Sequence, residues 1–344
     1  MERKQHRSLD LAKFIAAILI IILHTAPMQS YSGVLNYGFR HIVTIIAVPF
    51  FFITSGYLCF SKLNELDGEQ QKSYMYKYIH RLVVIYCLWS AVYFIFIATD
   101  WIQNGVSPTD VLQYVKRFFF EGSYLTIWFL PALISATLLV YFLSRKAQYR
   151  TVICFALPCY VVACLGSSYY GLAIKLPLLH GFFDAYYSFF DTVKNGVLFG
   201  FVYVALGAYF AKWQFQSRPI KWVGWICLFW CLMAGEALIH TALGCAIRGV
   251  DTKLMLLPLS ICIFLFVLGI ELPQWNGYVW LRKLSMMMFL SQRIFLTIFE
   301  KILSNTIFVR NTMIYFLCIL ALTILFSAGF IKLSEKYKLL KHFY

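Results

Sequence analysis

A lysine and a histidine, Lys13 and His24, stand eleven positions apart, separated by the uncharged run Phe14 to Leu23. On an α-helix eleven steps come to about 1,100°, roughly 20° from three full turns, which puts both side chains on one face about 16 Å apart along the axis. A cation at one end of such a stripe draws in a negatively charged or polar molecule, and a neutral imidazole at the other end accepts a proton near neutral pH. Each residue also has a plainer use. Lys13 can snorkel to a lipid headgroup layer, and His24, followed by Thr25, Ala26 and Pro27, can be the frayed end of a helix. A second pair, Glu236 and His240, lies one helical turn apart. It fits an acid and base couple, an acceptor-binding pair, or a structural hydrogen bond between helices.

The elements that hold these residues are set by composition. Of 344 residues 61% are hydrophobic, 19% aromatic and only 13% charged. A soluble domain carries about 25% charge, so this chain lacks a polar shell and its solvent is mostly lipid. A bilayer core needs about 20 mainly apolar residues per helix. Ten stretches meet that requirement: 9–28, 41–60, 82–99, 126–144, 151–166, 194–211, 222–240, 254–270, 284–303 and 312–331. The expected fold is therefore all-α, a polytopic membrane protein of about ten transmembrane helices, read as one domain over 1–344. The first stretch begins MERKQHR, yet His24-Thr25-Ala26-Pro27-Met28 is a poor cleavage site, so it is expected to stay as a helix rather than leave as a signal peptide.

Charge sets the expected orientation. With a cytoplasmic N-terminus, 19 of the 30 Lys and Arg lie in inner segments and three (Lys13, Arg293, Lys301) within spans. The other eight (Arg40, Lys116, Arg117, Lys175, Lys194, Arg248, Lys253, Arg310) lie outside. This positive-inside bias places both termini in the cytoplasm. It also accounts for most of the net charge of +15, so nucleic acid is not an expected partner. The ten Cys show no CxxC spacing and read as small core hydrophobes, and the seven His show no metal-binding spacing, so no metal is expected. No internal repeat of a transporter kind is evident. The outer segments 100–125 and 167–193, rich in Tyr, Phe, Gly and Asp, are expected to shape an outward mouth.

The second stretch ends in Ala47-Val48-Pro49-Phe50-Phe51-Phe52-Ile53-Thr54-Ser55-Gly56-Tyr57. A proline inside a span frees a carbonyl, and Thr54, Ser55 and Gly56 let another helix or a ligand approach the backbone.

Together these features resemble the acyltransferase family 3 of integral membrane proteins. The resemblance rests on Ser8-Leu9-Asp10-Leu11-Ala12-Lys13 with the interval to His24, on Val48 to Phe52 closing in Ser55-Gly56-Tyr57, and on Ile127-Trp128-Phe129-Leu130. It continues through Asn195-Gly196, Leu206-Gly207 and the stretch from Ser285 to Gln292. The family implies a ten-span bundle that takes an acyl group, often acetyl, from cytoplasmic acyl-CoA to an acceptor hydroxyl, often of a cell-envelope carbohydrate, at the outer face. Carried over, His24 is the general base or transient acyl carrier, and Lys13 stands where the family has Arg, keeping the charge without the planar fork. Arg81, with Lys77 nearby, is expected at the CoA phosphates, although positive-inside bias explains it equally well. Val84 and Tyr78 replace the family's usual Pro and second Arg. Ser55, Thr54 and Trp128 would shape the tunnel. Gln292 occupies the place of a family His and can hydrogen-bond but cannot shuttle a proton.

The alternative expectation is a transport module for a small zwitterion such as serine. The membrane half of the serine racemases of vancomycin-resistant bacteria resembles the same family, and Lys13 and Glu236 would then be the charge partners. The 344 residues hold no racemase-like segment, so the full bifunctional enzyme is not expected.

Overall fold

Prolines, glycines and capping residues cut the apolar stretches into helices. The computed structural model describes residues 6–213, 218–245, 248–249, 251–302 and 310–344, which are almost entirely helical and contain no strand. α1 runs Arg7–Thr25 and stops at Ala26, whose left-handed backbone (φ 48°) returns its N–H to the Ile22 carbonyl just before Pro27. A short α2, Gly33–Gly38, begins where the Ser32 hydroxyl accepts the Leu35 N–H. It continues through a π turn, Phe39–Val43, and a 3-10 turn, Thr44–Ile46, into α3, Ala47–Leu63. The change of winding precedes Pro49, which has no N–H to return to the preceding turn. α4, Gly68–Asn104, spans 37 residues. At about 55 Å it is far longer than a bilayer core, so it extends beyond it.

The expected outer loops are partly helical. Segment 100–125 holds α5, Pro108–Phe120, started by a Ser107–Asp110 capping box with proline at its first position. Segment 167–193 holds α8, Tyr170–Ala173, and α9, Pro177–Phe189. These helices are short and amphipathic, so a search for 20-residue apolar runs passes over them.

The other expected stretches hold α6 (Phe129–Ser144), α7 (Tyr149–Leu165), and a π turn (Gly196–Gly200) leading into α10 (Phe201–Lys212). They continue with α11 (Ile220–Ala242), α12 (Leu256–Leu268), α13 (Gly277–Ile302) and α14 (Met313–Lys336). Each of the ten stretches thus coincides with a helix. Five are long and apolar enough to cross a membrane: Arg7–Thr25, Gly33–Leu63, Gly68–Asn104, Ile220–Ala242 and Met313–Lys336. Four more, Phe129–Ser144, Tyr149–Leu165, Gly196–Lys212 and Leu256–Leu268, are apolar but shorter. The outside of the bundle is apolar as well, with Phe155, Trp225, Leu228, Leu232 and Leu325 exposed, as a lipid-facing surface requires. Four of the ten cysteines, Cys87, Cys154, Cys227 and Cys231, lie on that exposed surface rather than in the core expected for them.

The centre is built on α3 against α10 and α1 against α13. At the first crossing a Cβ on Gly56 would lie 2.6 Å from the Val204 carbonyl oxygen, and one on Gly207 would meet the Ile53 carbonyl and the Tyr57 N–H. Only hydrogen at both positions lets the two backbones touch. After α14 the chain folds back in a 3-10 turn, Lys338–Phe343. The Phe343 carbonyl accepts the Trp89 indole N–H at 3.0 Å, and the Tyr344 and Ser334 hydroxyls meet at 2.6 Å.

Gly207→Val should lower the melting temperature of the detergent-solubilised protein, because overpacking of this kind costs about 1–3 kcal/mol. Gly224→Val on α11, where nothing lies within 4 Å of an added Cβ, should leave it within the spread of the wild type.

Candidate active site

α1 sets the axis of the site. Its helix is regular from Arg7 to Thr25, so Lys13 and His24 fall on one stripe, and the helix packs along α13. At the N-terminal end Asp10 is buried, with the Arg282 guanidinium 3.8 Å from its carboxylate. Lys13, half-buried, lies within electrostatic reach of both Asp10 and Arg282. At the other end His24 occupies the last turn of α1. Its side chain is exposed and makes no hydrogen bond among the described residues. Charged groups from four segments nevertheless surround it: Arg293 of α13, Lys194 before α10, Arg40 of the π turn, and Asp251 before α12. Arg282 and Arg293 are eleven positions apart, the interval that separates Lys13 from His24. Each end of the α1 stripe is therefore within electrostatic reach of an arginine of α13. The sequence reading passed over this pair, although the same turn arithmetic applied to α13 reveals it.

α3 supplies the wall. Thr54 is fully buried and its hydroxyl has no hydrogen-bond partner, while Ser55 next to it is half-buried. Phe51 packs on Phe129 and Phe289, and Phe52 packs on Trp128, Phe129 and Phe199. Trp128 sits at the start of α6, and Gly122 places it there: at φ 101° a Cβ would lie 2.5 Å from the Trp128 Cα. Gln292 is fully buried on α13. Its Nε2 donates to the Phe289 carbonyl at 3.2 Å, and its Oε1 has no partner.

Arg81 and Lys77 are both exposed near the start of α4. Arg81 lines a cavity of about 300 Å³ with His80, Val84, Lys341 and His342. Lys77 is not in that lining. The chain's fold-back thus gives Arg81 two basic neighbours that sequence proximity cannot supply, and the set suits a phosphate.

Glu236 and His240 do not bond each other. Glu236 Oε1 accepts the Tyr169 hydroxyl and the Leu254 N–H, both at 2.7 Å, and Oε2 accepts the Met255 N–H at 2.9 Å. The carboxylate therefore closes the N-terminus of α12, where anions are favoured. His240 is buried, with its ring edge-on to Tyr169 at 4.2 Å and both nitrogens unpartnered. Tyr169 is what the two residues share.

Ion pairs join the loops at the His24 end of the bundle. The Lys194 ammonium lies 2.5 Å from Asp251, and the His41 Nδ1 lies 3.9 Å from the same carboxylate. Burial pushes the Asp251 carboxyl up, but the Lys194 charge and hydrogen bond outweigh it and hold the group at about 2, against an ordinary 3.8. Lys253 donates to the His41 carbonyl, and Trp230 donates to that of Ile42, tying the π turn to α11 and the α12 loop. Farther out, Glu121 accepts the backbone N–H of Asp191 and Thr192, and Arg117 pairs with Asp191 at 2.7 Å.

The family model described as Acyltransferase domain matches residues 6–332, and the chain belongs to that family. Among curated proteins it is similar to an amino-acid racemase of Enterococcus faecalis, 30% identical over 69% of this chain and 32% of that protein. It is also similar to a serine/alanine racemase of Enterococcus gallinarum, 24% identical over 98% of this chain and 47% of that one. The chain thus spans a third to a half of the length of these relatives. No solved structure matches.

Two outcomes follow for the outer half. Glu236→Gln keeps an oxygen for the Tyr169 and Leu254 donors but sets its NH2 against the Met255 N–H, so it should lower stability by less than Glu236→Ala, which leaves all three donors unmet and should cost about 1–3 kcal/mol in a thermal melt. The Asp251 carboxyl is lower in the folded protein than in the unfolded one, so its contribution is complete above about pH 4 and fades as pH falls toward 2. Asp251→Asn should flatten that part of the stability profile measured between pH 6 and 2.

Proposed function

From its place in this family we propose that the chain carries an acyl group, acetyl being the simplest, from acyl-CoA at the cytoplasmic face to a hydroxyl acceptor, a cell-envelope carbohydrate, at the outer face. The corresponding topology is ten membrane crossings with both termini in the cytoplasm of a cell-membrane protein, the whole chain acting as one domain. The observation that carries this reading is the single α1 stripe with Lys13 at one end and the exposed, unbonded His24 at the other, each beside an arginine of α13.

The CoA phosphates would bind among Arg81, Lys341 and His342, with Lys77 at the approach. The pantetheine arm, about 15–20 Å long, would pass Lys13 along α1 and α3 toward His24. Thr54, Ser55, Trp128 and Gln292 supply the lining, Thr54 and Gln292 each with a buried polar atom free to meet the arm's amides. The His24 imidazole takes the proton of the acceptor hydroxyl while its oxygen bonds to the acyl carbon. The carbon–sulfur bond then breaks, and the thiolate of CoA takes the proton back from the imidazolium. In the second form of the same reading His24 itself carries the acyl group between the two steps. No metal enters this scheme. Glu236 and His240 have a positioning role, holding the α12 end of the outer mouth.

The names of the racemase relatives favour a second reading, in which the bundle passes serine across the membrane and Lys13 answers its carboxylate. Uptake of labelled serine into vesicles containing only this chain is the outcome it expects.

Purified protein with His24→Ala should transfer labelled acetyl from acetyl-CoA at least 10²-fold more slowly than wild type, the usual contribution of a positioned base. Undiminished transfer removes His24 from the chemistry. Deleting the gene should also remove alkali-labile esters from the cell-envelope polymers of the host.

A further inference from the structure

Around His24 the positive charges outnumber the negative groups that answer them. Arg40, Lys194 and Arg293 reach the ring electrostatically, against Asp251 alone. Asp251 is engaged by Lys194 at 2.5 Å. Arg293 is shared with Glu300, its Nη2 at 3.2 Å from the carboxylate. Arg40 has no carboxylate within ion-pair distance among the described residues. The Nε atoms of both Arg40 and Arg293 are buried without a hydrogen-bond acceptor. A desolvated guanidinium N–H left unmet is costly, and its planar fork matches the paired oxygens of a carboxylate or phosphate. Lys253, close to Asp251, is spent on the His41 carbonyl.

We propose that the outer mouth admits a hydroxy compound bearing an oxyanion, with the anion lodged at Arg40 and Arg293 and the hydroxyl presented to His24. This rests on the acyl-transfer reading for the role of His24, and it narrows the acceptor to an acidic sugar or a hydroxy acid. A neutral sugar could accept from the buried N–H groups but would leave the Arg40 charge unanswered. A carboxylate or a phosphate supplies one negative charge and two acceptors in a single group.

The test is ligand binding to the whole chain in lipid nanodiscs with no acyl-CoA present, using labelled glycerate, glycerol 1-phosphate and glycerol as probes. At least one of the two anionic probes should bind tenfold or more tightly than glycerol, and which one does identifies the oxyanion. Arg40→Gln and Arg293→Gln should each weaken that binding tenfold or more, and Arg40→Lys should restore part of it. Anionic probes that bind no better than glycerol, or Gln variants that bind like the wild type, overturn the proposal. So does an equal loss in Arg40→Gln and Arg40→Lys, which marks a structural role. His24→Ala should keep the affinity while losing acetyl transfer. If it keeps transfer as well, the acyl reading fails while the binding result stands.

Discussion

An ionisable side chain inside a membrane span must be answered by another polar group or by water, because leaving it in hydrocarbon costs several kcal/mol. That constraint organises this bundle. Lys13 and Arg293 cannot face lipid cheaply, and α1 packs along α13, whose Arg282 and Arg293 lie within electrostatic reach of Lys13 and His24. Asp10 supplies the countercharge at one end, at 3.8 Å from Arg282. At the other end the charge is distributed over four segments and includes an imidazole open to its surroundings. The asymmetry is electrostatic: at one end a single carboxylate answers two cations, and at the other the imidazole is exposed.

The remaining helices keep this seam narrow and aligned. Gly56 and Gly207 let α3 and α10 touch backbone to backbone. That contact fixes the aromatic run of α3, so Phe51 and Phe52 form a wall with Phe129, Trp128 and Phe289 rather than a loose apolar patch. The loops at the His24 end depend less on packing than on caps and ion pairs. Glu236 seals α12, Lys194 and Asp251 join two loops, and Lys253 and Trp230 hold the π turn that carries Arg40 and His41.

Much of this was legible in the residues themselves. Apolar runs of membrane length placed every long helix, because 3.6-fold winding in lipid leaves few alternatives. The Lys13 and His24 stripe followed from turn arithmetic alone. What escaped was of three kinds. α5 and α9 are short and amphipathic, so an apolar window misses them although Ser107-Pro108 and Pro177 mark their starts. Lys341 and His342 reach Arg81 only because the chain folds back on α4, and Glu236 finds the Leu254 and Met255 N–H groups only through the path of the α11–α12 loop. Arg282 and Arg293 had a readable signal, but Arg282 was counted with the inner segments and Arg293 was noted only as lying within a span.

The most direct measurement is side-specific thiol labelling of the full chain, its native cysteines replaced, with His24→Cys and Lys13→Cys introduced one at a time. A membrane-impermeant maleimide should modify position 24 from outside only and position 13 from the cytoplasmic side only, with CoA shielding position 13. Labelling of both positions from one side, or no shielding by CoA, would contradict a donor path running along α1 from the cytoplasm to the outer imidazole.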